Sequence, residues 1–133
     1  MISKNMKDWI VLIVDDELDN LNVARKVLSF NDAQVFDARN GREGLAALAD
    51  ISPTFILLDL SMPEMDGWEM FRILREQPET RGIPVIALTA HAMAGDREKV
   101  LEAGFNGYIA KPFRIDSFLE EIHRCLDEFS SAR

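Results

Sequence analysis

Four apolar runs in this chain each lead into side chains of a kind that do ionic chemistry. WIVLIV leads into Asp15, Asp16 and Glu17, TFILL into Asp59, PVIAL into Thr89, and GYIA into Lys111. A carboxylate or ammonium set against so apolar a stretch costs free energy unless a partner meets it. If the four ends share one edge, they bring together several carboxylates, a hydroxyl and an ammonium. Two like charges about 5 Å apart repel by roughly 3 kcal/mol at an effective dielectric near 20. A small domain has only about 5–15 kcal/mol of stability in all. Crowded carboxylates therefore need a cation, a raised pKa, or both. Lys111 can offset part of the repulsion. A hard divalent ion, Mg2+ or alternatively Mn2+, would offset the rest through carboxylate and carbonyl oxygens and waters. The histidine or cysteine ligands that point to zinc are missing from the cluster. On this reading, Asp16→Asn should weaken binding of the ion and raise the melting temperature of the metal-free protein.

The elements that must position these groups alternate in type. Strands are expected over residues 9–14, 34–37, 54–58, 84–88 and 107–110. The first, third and fourth are almost continuously apolar, as in parallel strands covered on both faces. Helical spacing lies between them. Leu21, Ala24 and Leu28 share one stripe, and Ile115, Phe118, Ile122, Cys125 and Phe129 share another. Asn40 and Glu43 have the spacing of a capping box, and Gly104 stands where a left-handed residue would close a helix. Strand and helix in alternation predict an α/β doubly wound fold. In such sheets ligands sit beyond the carboxyl ends of the strands, where the acids, Thr89 and Lys111 fall. The end of the second strand, Asp37-Ala38-Arg39, is expected to lie away from that cluster.

Composition narrows the function classes. The chain has 133 residues with no repeat or linker, and reads as one domain over 1–133 with a core of about 9–129. A net charge of −8 opposes direct binding to a nucleic-acid backbone. No apolar run approaches the roughly 20 residues that cross a bilayer, and residues 1–8 do not read as a secretory signal. Cys125 is a lone cysteine, so a reducing compartment such as the cytoplasm is expected. No effector segment follows the last helix, which favours a stand-alone regulator.

Read in order, these residues resemble the receiver domain of two-component response regulators over about residues 10–129. The marks are Asp15-Asp16, Asp59 within Leu57-Leu58-Asp59-Leu60-Ser61-Met62-Pro63-Glu64-Met65-Asp66-Gly67, Thr89-Ala90, Tyr108 and Lys111-Pro112. The resemblance implies a flavodoxin-like five-stranded parallel sheet in the order 2-1-3-4-5 with helices on both faces. Asp59 would be the phosphoacceptor. Asp16, Asp59 and the backbone carbonyl of Ser61 would hold Mg2+ directly, and Asp15 would act through a metal-bound water. Lys111 would pair with a phosphoryl oxygen and the Thr89 hydroxyl would bond another. The Lys111–Pro112 peptide would be cis. Thr89 and Tyr108 would form the switch, and Ser61 and His91 would modulate the lifetime of the phosphoryl group. The donor would be a histidine kinase or histidine phosphotransfer protein. The output would be an altered face of the fourth helix, fifth strand and fifth helix that meets a downstream protein target. The protein would be a monomer or a weak phosphorylation-dependent dimer. It would not be an enzyme beyond its own phosphorylation and slow autodephosphorylation.

Taken singly, each residue has a plainer reading. Asp15 and Asp16 could be turn acids or helix caps, Thr89 a strand-end hydroxyl, Tyr108 a sheet aromatic and Lys111 a surface lysine. Cys125 reads as a small core residue, His123 as a solvated helix residue, and Trp68 as partly exposed. An aspartyl-phosphate phosphatase would need an acid where Ser61 stands. A flavodoxin-like cofactor binder would need a phosphate-binding loop where the Asp15-Asp16-Glu17 acids stand. A degenerate receiver that binds partners without phosphorylation remains the third alternative.

Overall fold

A computed structural model describes residues 5–90 and 96–131, with side chains as far as residue 127. After a short 3-10 turn at Met6–Asp8 come five strands: β1 (Ile10–Val14), β2 (Gln34–Ala38), β3 (Phe55–Asp59), β4 (Val85–Thr89) and β5 (Gly107–Ala110). They form one sheet in the order β2-β1-β3-β4-β5, every pair parallel. Between and after them run α1 (Leu18–Phe30), α2 (Gly41–Ala47), α3 (Gly67–Glu76), α4 (Asp96–Glu102) and α5 (Phe118–Ser131).

Strand burial follows the sequence pattern. Every residue of β3 and β4 is buried, matching their unbroken apolar runs, whereas β2 at the edge is mostly half-buried or exposed. Alternation along the strands divides the core in two. Val11, Ile13, Leu57, Ile86 and Leu88 pack with Leu21, Leu28, Phe118 and Ile122 of α1 and α5. Leu12, Val14, Ile56, Leu58 and Ala87 pack with Met70, Leu74 and Val100 of α3 and α4. Gly107 lets β5 and α5 touch: a β-carbon there would overlap the Cys125 side chain.

Several local expectations are met and others are corrected. Gly104 has φ +107 just past α4, and Cys125 is buried at 3% exposure. The Asn40 side chain accepts from the Glu43 N–H at 2.9 Å, but Glu43 returns to the N–H of Arg39 at 3.0 Å, one residue before the position a capping box uses. Ile115 does not join the α5 stripe. It is 71% exposed, because α5 begins only at Phe118 after a turn in which Ser117 donates to the Arg114 carbonyl. His123 is half-buried rather than solvated, with its ring 5.3 Å from that of Trp9. Trp68 is 39% exposed, with its ring edge-on to Phe105. The Phe129 side chain, Met93 and His91 lie outside the described residues.

Candidate functional site

The parallel register places the chemistry. Asp59 is the last residue of β3 beside Leu88, and Thr89 is the last of β4 beside Ala110. Both lie within their strands rather than after them. Asp15 follows β1 and extends its ladder, its N–H donating to the Ala38 carbonyl at 3.0 Å. Lys111 follows β5, and its N–H donates to the Thr89 carbonyl at 2.7 Å. The Lys111–Pro112 peptide is cis.

At this edge one ammonium meets three acids. Lys111 Nζ lies 2.9 Å from Asp15 Oδ2, 3.2 Å from Asp59 Oδ2 and 3.4 Å from Glu17 Oε1. Asp15 and Asp59 are 0% and 2% exposed. The second oxygen of each is fixed by a turn: Asp15 Oδ1 accepts from the Glu17 N–H at 2.9 Å, and Asp59 Oδ1 from the Ser61 N–H at 3.2 Å. Apart from the Lys111 ammonium, neither Oδ2 has a hydrogen-bond partner, so both depend on that contact.

Burial and mutual repulsion reset the protonation of these groups. Burial, reinforced by the Asp15 charge, pushes Asp59 up to about 7 against the pull of Lys111 and the Ser61 N–H. Burial likewise raises Asp15. Burial alone would lower Lys111, but its contacts with Asp15 and Asp59 outweigh that and raise it. The crowding therefore falls on Asp15 and Asp59. Asp59→Asn thus tests the crowding most directly, beside Asp16→Asn.

Two buried carboxylate oxygens that share one ammonium as their partner are a chemical fit for a hard cation. Carboxylate oxygens of Asp15, Asp16 and Glu17 also lie within 4.8 Å of one another. Asp59 meets the same ammonium as Asp15 and Glu17.

The loop after β3 holds this wall in place. Gly67 is required there, because a β-carbon would overlap the Asp59 backbone carbonyl. Asp66 caps α3 by accepting from the Glu69 N–H at 2.9 Å. Glu64 has φ +65, a left-handed conformation that costs a residue bearing a β-carbon. Glu64→Gly is expected to stabilise the protein by about 1 kcal/mol, read as a higher urea midpoint. Beside the acids, Leu60, Ser61, Trp68, Thr89, Lys99 and Tyr108 line a cleft of ≈ 150 Å³. Tyr108 is half-buried, and burial together with Asp96 raises its hydroxyl pKa.

Asp15, Asp59 and Lys111 thus converge directly, with Asp16 adjacent and Thr89, Ser61 and Tyr108 around one neighbouring cleft. Two contacts were not anticipated. Glu17 reaches Lys111, and Arg39 Nη2 donates to the Asp16 carbonyl at 3.3 Å. The end of β2 therefore lies against the cluster, not away from it. The pairing of β2 with β1 was the signal for this, since it carries Ala38 to the side of Val14.

The fold and this acid-and-lysine pocket define a doubly wound signalling-type domain, and comparison with known proteins gives its family. Residues 11–123 match the response regulator receiver domain. The polar-differentiation response regulator DivK of Brucella anthropi is 36% identical over 118 residues, covering 89% of this chain and 96% of that protein. The chemotaxis response regulator CheY4 of Vibrio cholerae superposes with a TM-score of 0.81 at 27% identity, covering 88% of this chain and 98% of that one. The receiver domain of a Pseudomonas aeruginosa sensor histidine kinase, which has a magnesium ion coordinated in its active-site cleft, is 33% identical with a TM-score of 0.78. The match covers 90% of this chain and 98% of that one. The chain belongs to the response regulator receiver domain family of two-component signalling. Among the described residues, no helix is long and apolar enough to cross a membrane.

Proposed function

We propose that the protein is a phosphorylation-dependent switch whose acceptor is Asp59. The observation that carries this reading is the buried Asp15–Asp59 pair sharing Lys111 at the carboxyl edge of the sheet. Asp16, Asp59 and the Ser61 carbonyl would hold Mg2+, with Asp15 acting through a water. When bound, the ion supplies positive charge beside the transferring phosphoryl group.

The chain's own residues do the rest by alignment and charge. Ionised Asp59 presents a carboxylate oxygen to the phosphorus of a phosphohistidine on a kinase or phosphotransfer protein. The new O–P bond forms as the N–P bond breaks, and the electron pair returns to the donor imidazole, which takes up a proton. Lys111 neutralises a phosphoryl oxygen and Thr89 donates its hydroxyl to another. The phosphoryl group carries about −1.5 to −2 charges where the carboxylate carried about −1. Thr89 moves toward that charge and Tyr108 fills the space, shifting the population at the face formed by α4, β5 and α5 toward the form that binds a downstream target. Ser61, beside Asp59, and His91 would tune how fast water removes the group.

Incubation with Mg2+ and a small acyl phosphate tests this directly. Intact mass should show one phosphoryl adduct on the wild type and none on Asp59→Asn. Equal adducts on both proteins, or none on either, would falsify the assignment.

A further inference from the structure

Deepening that reading, and resting on it for the rate it concerns, we propose that Glu17 is a positioning residue. Its side chain tethers Lys111 to the acidic side of the pocket and must release it for an incoming phosphoryl group. Glu17 occupies the N-cap of α1, yet its side chain makes no capping hydrogen bond. Asn40 and Asp66, at the same position of α2 and α3, both cap with their side chains. The first turn of α1 therefore lacks a side-chain cap, and Glu17 Oε1 instead lies 3.4 Å from Lys111 Nζ. The Glu17 N–H donates to Asp15 Oδ1, which fixes the residue against the pocket wall.

The three partners of Lys111 differ in freedom. Asp15 and Asp59 are buried in the wall, whereas the Glu17 side chain is 58% exposed. Glu17 is thus the partner that can exchange with a phosphoryl oxygen at little cost. An exposed ion pair is a weak restraint, so the expected effect on rate is about threefold rather than all-or-none.

Glu17→Gln removes the charge and leaves Lys111 only a neutral amide oxygen to meet. Glu17→Asp keeps the charge but is too short to hold Lys111. With a small acyl phosphate at saturating Mg2+, both variants should form the adduct about threefold faster than wild type. In the metal-free proteins, an amine-reactive label mapped to Lys111 by peptide mass should react faster in both, a reading that needs no phosphoryl transfer. Glu17→Asp matching wild type in Lys111 labelling overturns the tether, since charge alone or helix capping would then be the role of Glu17. Faster labelling in both variants, with no adduct on any protein, retains the tether and removes the phosphoacceptor reading.

Discussion

Stripped of divalent cations at pH 8, Asp59→Asn is expected to melt roughly 6 °C above the wild type, a gain on the order of 2 kcal/mol. The cause is the arrangement of charge around Lys111. Two buried carboxylates, Asp15 and Asp59, share one ammonium with exposed Glu17, and neither Oδ2 has a second hydrogen-bond partner. Asp59 bears the cost most clearly, held up to about 7 by burial and by Asp15. A rise from 3.8 to about 7 corresponds to about 4 kcal/mol that the ionised group withdraws from folding. An amide removes that penalty and gives back part of the gain, because Lys111 loses one partner. Asp15 and Glu17 still hold the ammonium, so the balance stays favourable. A melting temperature equal to or below wild type would show that Asp59 is not strained by its neighbours.

The same crowding sets a pH dependence with a definite sign. Between pH 4 and 7 the folded protein keeps a proton on Asp59 that the unfolded chain has released. The native state therefore binds more protons than the unfolded state across that window, and stability falls as pH rises through it. Asp15, also raised by burial, acts in the same direction. Lys111 is raised as well, so its contribution is lost only at alkaline pH, as pH passes its folded pKa. Urea titrations of metal-free protein should show the denaturation midpoint dropping from pH 4 to 7 and levelling beyond. With Mg2+ at about a hundred times its dissociation constant, about 2.7 kcal/mol should return at pH 8. That gain should shrink as the pH is lowered and protons compete for the carboxylates. A magnesium effect independent of pH would place the ion somewhere other than among these acids.

What could be read from the residues divides along physical lines. β1, β3 and β4 were legible because an unbroken apolar run of that length between polar segments has few other uses in a small domain. Asp15, Asp59 and Lys111 were legible because charges abutting such runs must be met by something. The details that escaped depend on contacts rather than on pattern. Ile115 has the spacing of the α5 stripe, but the turn at Arg114–Ser117 comes first and leaves it facing solvent. His123 packs beside Trp9, a neighbour from the other end of the chain. Glu17 was legible as one of the acids after β1 but not as a partner of Lys111, and the reach of Arg39 to the Asp16 carbonyl depends on a side-chain length that no pattern shows.

The bare contact at Gly107 has a mechanical meaning. With Cys125 filling the space where a side chain would sit, no compressible layer separates β5 from α5. Strand and helix are held at a fixed spacing there, four residues before Lys111. Enlarging residue 107 would pry the two apart.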